Sequence, residues 1–252
     1  MHQLLKYMRT WLLICFLCLV LGWSFPAAAA SSVNPKLEQQ VLQILREHPE
    51  VIIESVQIFE QQQQQKLQQT RQAFLQDLKT NTQLVIGESP TIGSSQSKIV
   101  LVEFSDFQCP YCAEAHKTLK HLLAKYPDKF TLVYKHFPLM PIHAQALPAA
   151  KAAWAAYQQG KFWEYHDALF THQQELGEAL YLSTAKSLNL DVEKFQADAF
   201  GANSIAEQAI RKDIQLAEKL GLSGTPFLIM NSNNFSGVVQ LANIESLLAN
   251  AQ

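Results

Sequence analysis

Cys109 and Cys112 stand three apart in Phe-Gln-Cys-Pro-Tyr-Cys, shortly after the apolar run Ile99-Val-Leu-Val-Glu-Phe. This juxtaposition narrows the choice of folds more than any other feature of the chain. A continuous apolar run suits a strand buried on both faces, and Pro110 stands where a helix can begin. The order predicted is strand, turn, cysteine pair, helix. Two cysteines in the first turn lie on one face, so the pair can switch between dithiol and disulfide with little backbone movement.

The two sulfurs are not equivalent in such a frame. Cys109, at the helix N-terminus, meets unsatisfied backbone N–H groups and the positive end of the helix dipole, which favour its thiolate and make it the attacking sulfur. Cys112, one turn further in, is the more buried and resolves the mixed disulfide. The competing reading of a Cys-x-x-Cys is half of a metal site, with His116 as a third ligand four residues beyond Cys112. No fourth ligand is evident in the sequence.

The remaining cysteines bear on the compartment. Lys6 and Arg9 precede an apolar run from Trp11 to Phe25, closed by Pro26 and Ala27 to Ala30, which reads as an export signal covering residues 1–30. A retained membrane anchor is the alternative, but the run is shorter than the roughly 20 residues that a spanning helix needs. Cleavage near Ser31 removes Cys15 and Cys18 and leaves one close pair outside the cytoplasm, which suggests chemistry and not a staple framework. It also leaves 18 basic against 22 acidic residues, a net charge of −4 that invites neither nucleic acid nor an anionic membrane surface. No phosphate-binding loop is present, and no cofactor is expected.

Four segments follow from the patterning. Residues 31–81 form an amphipathic helical arm in which Leu37, Val41, Ile44, Ile52, Val56, Phe59, Leu67, Phe74 and Leu78 recur at spacings near three and four, divided by Pro49 and weakened by Gln61 to Gln65. The arm packs on its own domain, forms a flexible stalk or serves self-association. Residues 82–97, with Gly87, Pro90, Gly93 and several serines, read as a linker. Residues 98–252 form an α/β domain: a second strand from Lys129 to Phe137, an alanine-rich helix from Pro141 to Gln159, and a helical insertion spanning about 142–221 that includes Phe162 to His172 and Asn203 to Leu220. A strand over Thr225 to Met230, a short one at Gly237-Val-Val-Gln and a helix from Asn243 to Ala251 close the chain. Trp154, Phe162, Trp163 and Tyr165 sit at spacings that suit core packing.

Val-Glu-Phe-Ser-Asp-Phe-Gln-Cys-Pro-Tyr-Cys, the later Gly-Thr-Pro-Phe and the helical stretch between them resemble the DsbA-like thiol–disulfide oxidoreductases, which have a thioredoxin-like fold. The resemblance runs from about Lys98 to the C-terminus, and the arm is similar to that of exported members with an N-terminal oligomerisation segment. It implies that Pro226 is a cis-proline facing the cysteines, whereas sequence alone favours an ordinary trans bond, and that the backbone of Thr225 pairs with an extended substrate. It also implies that Glu103 is a buried acid able to relay a proton to or from Cys112. The other reading of Glu103 is a salt-bridged or edge residue. Asp106 reads as a cap or turn residue, and His136 and His143 as structural. Tyr111 departs from the histidine of strongly oxidising members and offers a weaker donor without charge. A reduction potential between the roughly −120 mV of DsbA and −270 mV of thioredoxin is therefore expected.

The function expected is oxidation of cysteine-containing exported proteins in a periplasm or equivalent space, a thylakoid lumen included. A membrane partner of the DsbB or vitamin-K-epoxide-reductase type would reoxidise the pair. The alternatives are an isomerase or reductase assembled through residues 34–81, a metal carrier using Cys109, Cys112 and His116, and a peptide-binding holdase built on the arm.

Overall fold

The structure, a computed structural model, describes residues 34–201, 204–230 and 241–250. The leader and cleavage point expected over residues 1–31, with Cys15 and Cys18, and the short strand expected at Gly237 to Gln240 lie outside the described residues. The chain divides into two compact units, Met1–Gln61 and Gln62–Gln252.

In the first unit, Asn34 caps helix α1 (Pro35–Glu47), its side chain accepting from Lys36 N at 3.0 Å while Pro35 fills the first turn, where a missing N–H costs nothing. His48-Pro49 ends α1, since the residue before a proline resists the helical conformation. Helix α2 (Glu50–Thr80) starts immediately afterwards and contributes residues to each unit. Leu37, Val41, Ile44, Ile52, Val56 and Phe59 are all exposed, and Ile53 is 60% exposed.

The second unit departs from the expected boundaries. Its core takes in Phe74 and Leu78 of α2 and Val85 of the short helix α3 (Thr82–Ile86), packed with Val100, Val102, Phe104 and Val133. The apolar stripe resumes after the glutamine run, and its Phe74–Leu78 step of four residues is what buries this part of α2. Nor are residues 82–97 a free linker: besides α3 they hold strand β1 (Thr91–Gly93), which pairs antiparallel with β3 (Thr131–His136).

Strand β2 (Val100–Ser105) runs parallel to β3 and antiparallel to β4 (Phe227–Met230), giving the sheet order β1-β3-β2-β4. Every residue of β2 and β3 is buried, as a strand covered on both faces requires. Alternation along β2 sends Val100, Val102 and Phe104 toward α2, and Leu101, Glu103 and Ser105 to the face covered by helix α4 (Pro110–Lys125), whose Leu119 and Leu122 pack with Leu101. Helices α5 (Ala146–Tyr157), α6 (Phe162–Thr171), α7 (Glu178–Ser187), α8 (Val192–Phe200) and α9 (Ile205–Lys219) form the insertion, and α10 (Leu241–Asn250) closes the chain. Helix α5 starts five residues later than Pro141. Pro148 then falls in its first turn, where the absent N–H has no intrahelical partner to lose.

Residues 67–78 of α2 are tied to the end of α9. Gly221 adopts φ +65°, and its N–H returns to Glu218 O at 2.9 Å while Leu222 N returns to Ala217 O at 3.0 Å, a glycine-terminated helix end. Arg71 Nε donates to Leu220 O at 2.9 Å, satisfying a carbonyl the helix leaves open. A Cβ on Gly221 would stand 3.0 Å from Leu67, so glycine serves both the turn and the close approach.

Candidate active site

Cys109 is the N-cap of α4, with Pro110 in the first turn, and both cysteines are buried thiols. Four contacts shape the loop that delivers Cys109. Cys109 N donates to Asp106 O at 3.1 Å, Asp106 Oδ1 accepts from Gln108 N at 2.8 Å, and Asp106 Oδ2 accepts from Leu139 N at 2.9 Å and from His143 Nδ1 at 2.7 Å. Asp106 is thus the turn residue expected, and also the anchor of the chain segment after β3. Gln173, on the turn after α6, donates through Nε2 to Phe107 O at 2.8 Å and to Cys109 O at 2.9 Å. Sequence reasoning passed over Gln173, because nothing local distinguishes it from the other glutamines.

The Cys109 thiol lies 3.4 Å from Thr225 O, to which it donates, and the Thr225–Pro226 peptide is cis. The Cys109 thiol is pulled down to about 5, first by the Cys112 side chain and then by Thr225 and the backbone N–H groups of Cys112 and Tyr111, against the opposing effect of burial. Burial drives Cys112 the other way, well above the ordinary thiol range, and Cys109 adds to it. One sulfur is therefore ionised at neutral pH and its neighbour protonated, the state from which Cys109 attacks a disulfide. Tyr111 is 75% exposed beside the pair.

Beneath the pair, Glu103 is buried with its Oε1 unpartnered, and burial pushes it up to about 7 while the Ser105 side chain partly offsets the rise. No salt bridge to Glu103 is found among the described residues. The same Ser105 favours the Cys112 thiolate, so it borders both groups. His136 is buried with neither ring nitrogen partnered, and burial lowers it to about 3, which keeps it neutral. Phe162, Trp154 and Tyr165 are buried as their spacing predicts, while Trp163 is half-buried and donates from its ring N–H to Thr91 O at 2.9 Å.

The alternative metal set of Cys109, Cys112 and His116 does not come together. Helix α4 directs Cys112 toward Asp106 N, 3.5 Å away, and His116 toward α6, where His116 stacks on Phe170 and joins His166 and Asp167.

Residues 85–250 match the family model described as thioredoxin. The chain belongs to the thioredoxin family. Among solved structures, a thioredoxin-like oxidoreductase from Silicibacter pomeroyi DSS-3 is 31% identical with a TM-score of 0.57, the match covering 66% of this chain and 92% of that one. The thiol-disulfide exchange protein alpha-DsbA2 of Wolbachia pipientis is 24% identical with a TM-score of 0.61, covering 72% and 97%, so this thioredoxin-family fold is DsbA-like. Proteus mirabilis ScsC, in a transitional conformation, is 23% identical with a TM-score of 0.58 and covers 87% of this chain and 98% of its own. The chain is also 39% identical over 160 residues to the Na(+)/H(+) antiporter NhaA 3 of Salinispora tropica, a match covering 62% of this chain but only 23% of the antiporter. No helix among the described residues is long and apolar enough to cross a membrane.

Proposed function

We propose that this thioredoxin-family protein is a thiol–disulfide oxidoreductase that passes the Cys109–Cys112 disulfide to cysteine-containing exported proteins, acting as an oxidase. The observation that carries the reading is the division between the sulfurs: Cys109 held near 5 at the start of α4, Cys112 held protonated behind it. A stabilised thiolate favours the reduced protein, and a disulfide whose reduced form is favoured is readily surrendered to a client. In the exchange, a client thiolate attacks Cys109, Cys112 leaves and takes up a proton, and a second client thiol then attacks the client sulfur and expels Cys109 as its thiolate. Two client thiols are oxidised as one protein disulfide is reduced. Glu103 is the group suited to supply the proton to Cys112, and the backbone at Thr225 and cis-Pro226 is suited to align the client strand. The leader at residues 1–30 supports export to a periplasm or equivalent space, where a membrane partner of the DsbB or vitamin-K-epoxide-reductase type would restore the disulfide.

A second reading, isomerase or reductase, is favoured by the exposed apolar residues of the first unit, which suit self-association. Equilibration of the pair in glutathione buffers, with mass sizing of the same sample, separates the two. A potential above about −180 mV in a monomer supports the oxidase. A lower potential in a dimer or trimer supports the isomerase or reductase. Cys112→Ser is expected to accumulate mixed disulfides through Cys109, and undiminished turnover in a variant lacking both cysteines would refute disulfide exchange altogether.

A further inference from the structure

Helices α4 and α6 bring three metal-binding side chains to one point on the side of the sheet where Glu103 lies. His116 Nε2 stands 3.6 Å from Asp167 Oδ1, and His166 Nδ1 stands 3.4 Å from the same oxygen. Each of the three residues offers a ligand atom within 4.8 Å of those of the other two. A tetrahedral ion with bonds of about 2.0–2.1 Å has ligand–ligand edges of about 3.4 Å, so two of the three edges need shifts of only tenths of an ångström. The three residues border a cavity of about 130 Å³, which Glu103, Trp163 and Lys120 also line.

Two further observations point to a missing occupant. Glu103 Oε1, on a residue lining this cavity, is a buried polar atom without a partner, and unsatisfied groups of this kind are uncommon in folded proteins. The ring of His166 is fixed by packing against His116, Trp163 and Phe170, so its orientation needs little further ordering on binding. Lys120 Nζ pairs with the other carboxylate oxygen, Asp167 Oδ2, and its side chain is largely exposed.

We propose that His116 Nε2, His166 Nδ1 and Asp167 Oδ1 form a binding site for a divalent ion of the zinc, cobalt or nickel kind, its open position facing the cavity beside Glu103. Two imidazoles select such ions over calcium or magnesium, which prefer all-oxygen sites. The ion would clip α4, which carries the cysteines, to α6 of the insertion. Neither cysteine is among the ligands.

The test uses the full chain with Cys15, Cys18, Cys109 and Cys112 all replaced by serine, so that no thiolate binds the probe. Titration with cobalt(II) is expected to give the visible bands of a four-coordinate ion at one equivalent, displaced by one equivalent of zinc. His116→Ala and Asp167→Asn, each checked for folding by circular dichroism, should abolish the bands, while His172→Ala at an exposed histidine should leave them intact. Absence of the bands from the cysteine-free protein would overturn the proposal. Bands that survive in both folded variants would overturn it equally.

Discussion

At the scale of single residues, two opposed ionisations set the chemistry and can be read separately. Cys109 is held to about 5, so alkylation of the reduced protein by iodoacetamide should rise with pH through a midpoint near 5, where an unperturbed thiol rises near 9. Its folded value lies below its unfolded value, so reduced protein gains stability from this group as pH rises from 5 to 9. Glu103 works in the opposite sense. Its folded value of about 7 stands above 4.5, so the native state binds the extra proton and stability from this group is lost as pH rises from 4.5 to 7. Glu103→Gln should remove that loss. Urea denaturation at pH 5 and pH 8 is expected to show the variant gaining on the parent by on the order of 3 kcal/mol at the higher pH, while Cys109 affects both proteins alike. The cysteines were legible because their position at a helix start fixes where they point, whereas the burial of Glu103 was read only through the family resemblance. The ties made by Asp106 and Gln173 were not, because their partners lie 33 to 66 residues away and only the fold brings them together.

At the scale of elements, the strand–cysteine–helix unit was readable from pattern alone, and β2, α4 and β3 fall where the apolar runs and Pro110 put them. Strand β1 was not readable, since three residues with a glycine carry no period; it exists because β3 presents an edge to pair with. The second half of α2 was hidden for a related reason. Its stripe of apolar residues is equally consistent with a free arm, and only burial tells them apart. Leu78 is fully buried among Val100, Phe104 and Val133, so Leu78→Ala should cost about 2–5 kcal/mol in urea denaturation, as a core truncation does. Ile53→Ala, on the exposed stretch of the same helix, should change monomer stability by less than about 0.5 kcal/mol.

At the scale of the whole molecule, the division at Gln61 separates two kinds of apolar surface: one enclosed by its own domain, and one of exposed side chains in residues 34–61. Charged residues at Ile52, Val56 and Phe59 together should reduce the mass seen by light scattering if those residues join copies, leaving the potential of the cysteine pair unchanged. The same boundary decides which pieces of such a chain can be exchanged between relatives. A recombination breakpoint in residues 82–97, where turn residues invite one, would part Leu67 and Arg71 from the helix end they were selected to fit, and a relative with any side chain at position 221 would need a smaller partner at 67. Lineages of this architecture should therefore show the arm's second half descending with the domain and positions 67 and 221 changing together, while the stretch before Gln61 is free to be replaced.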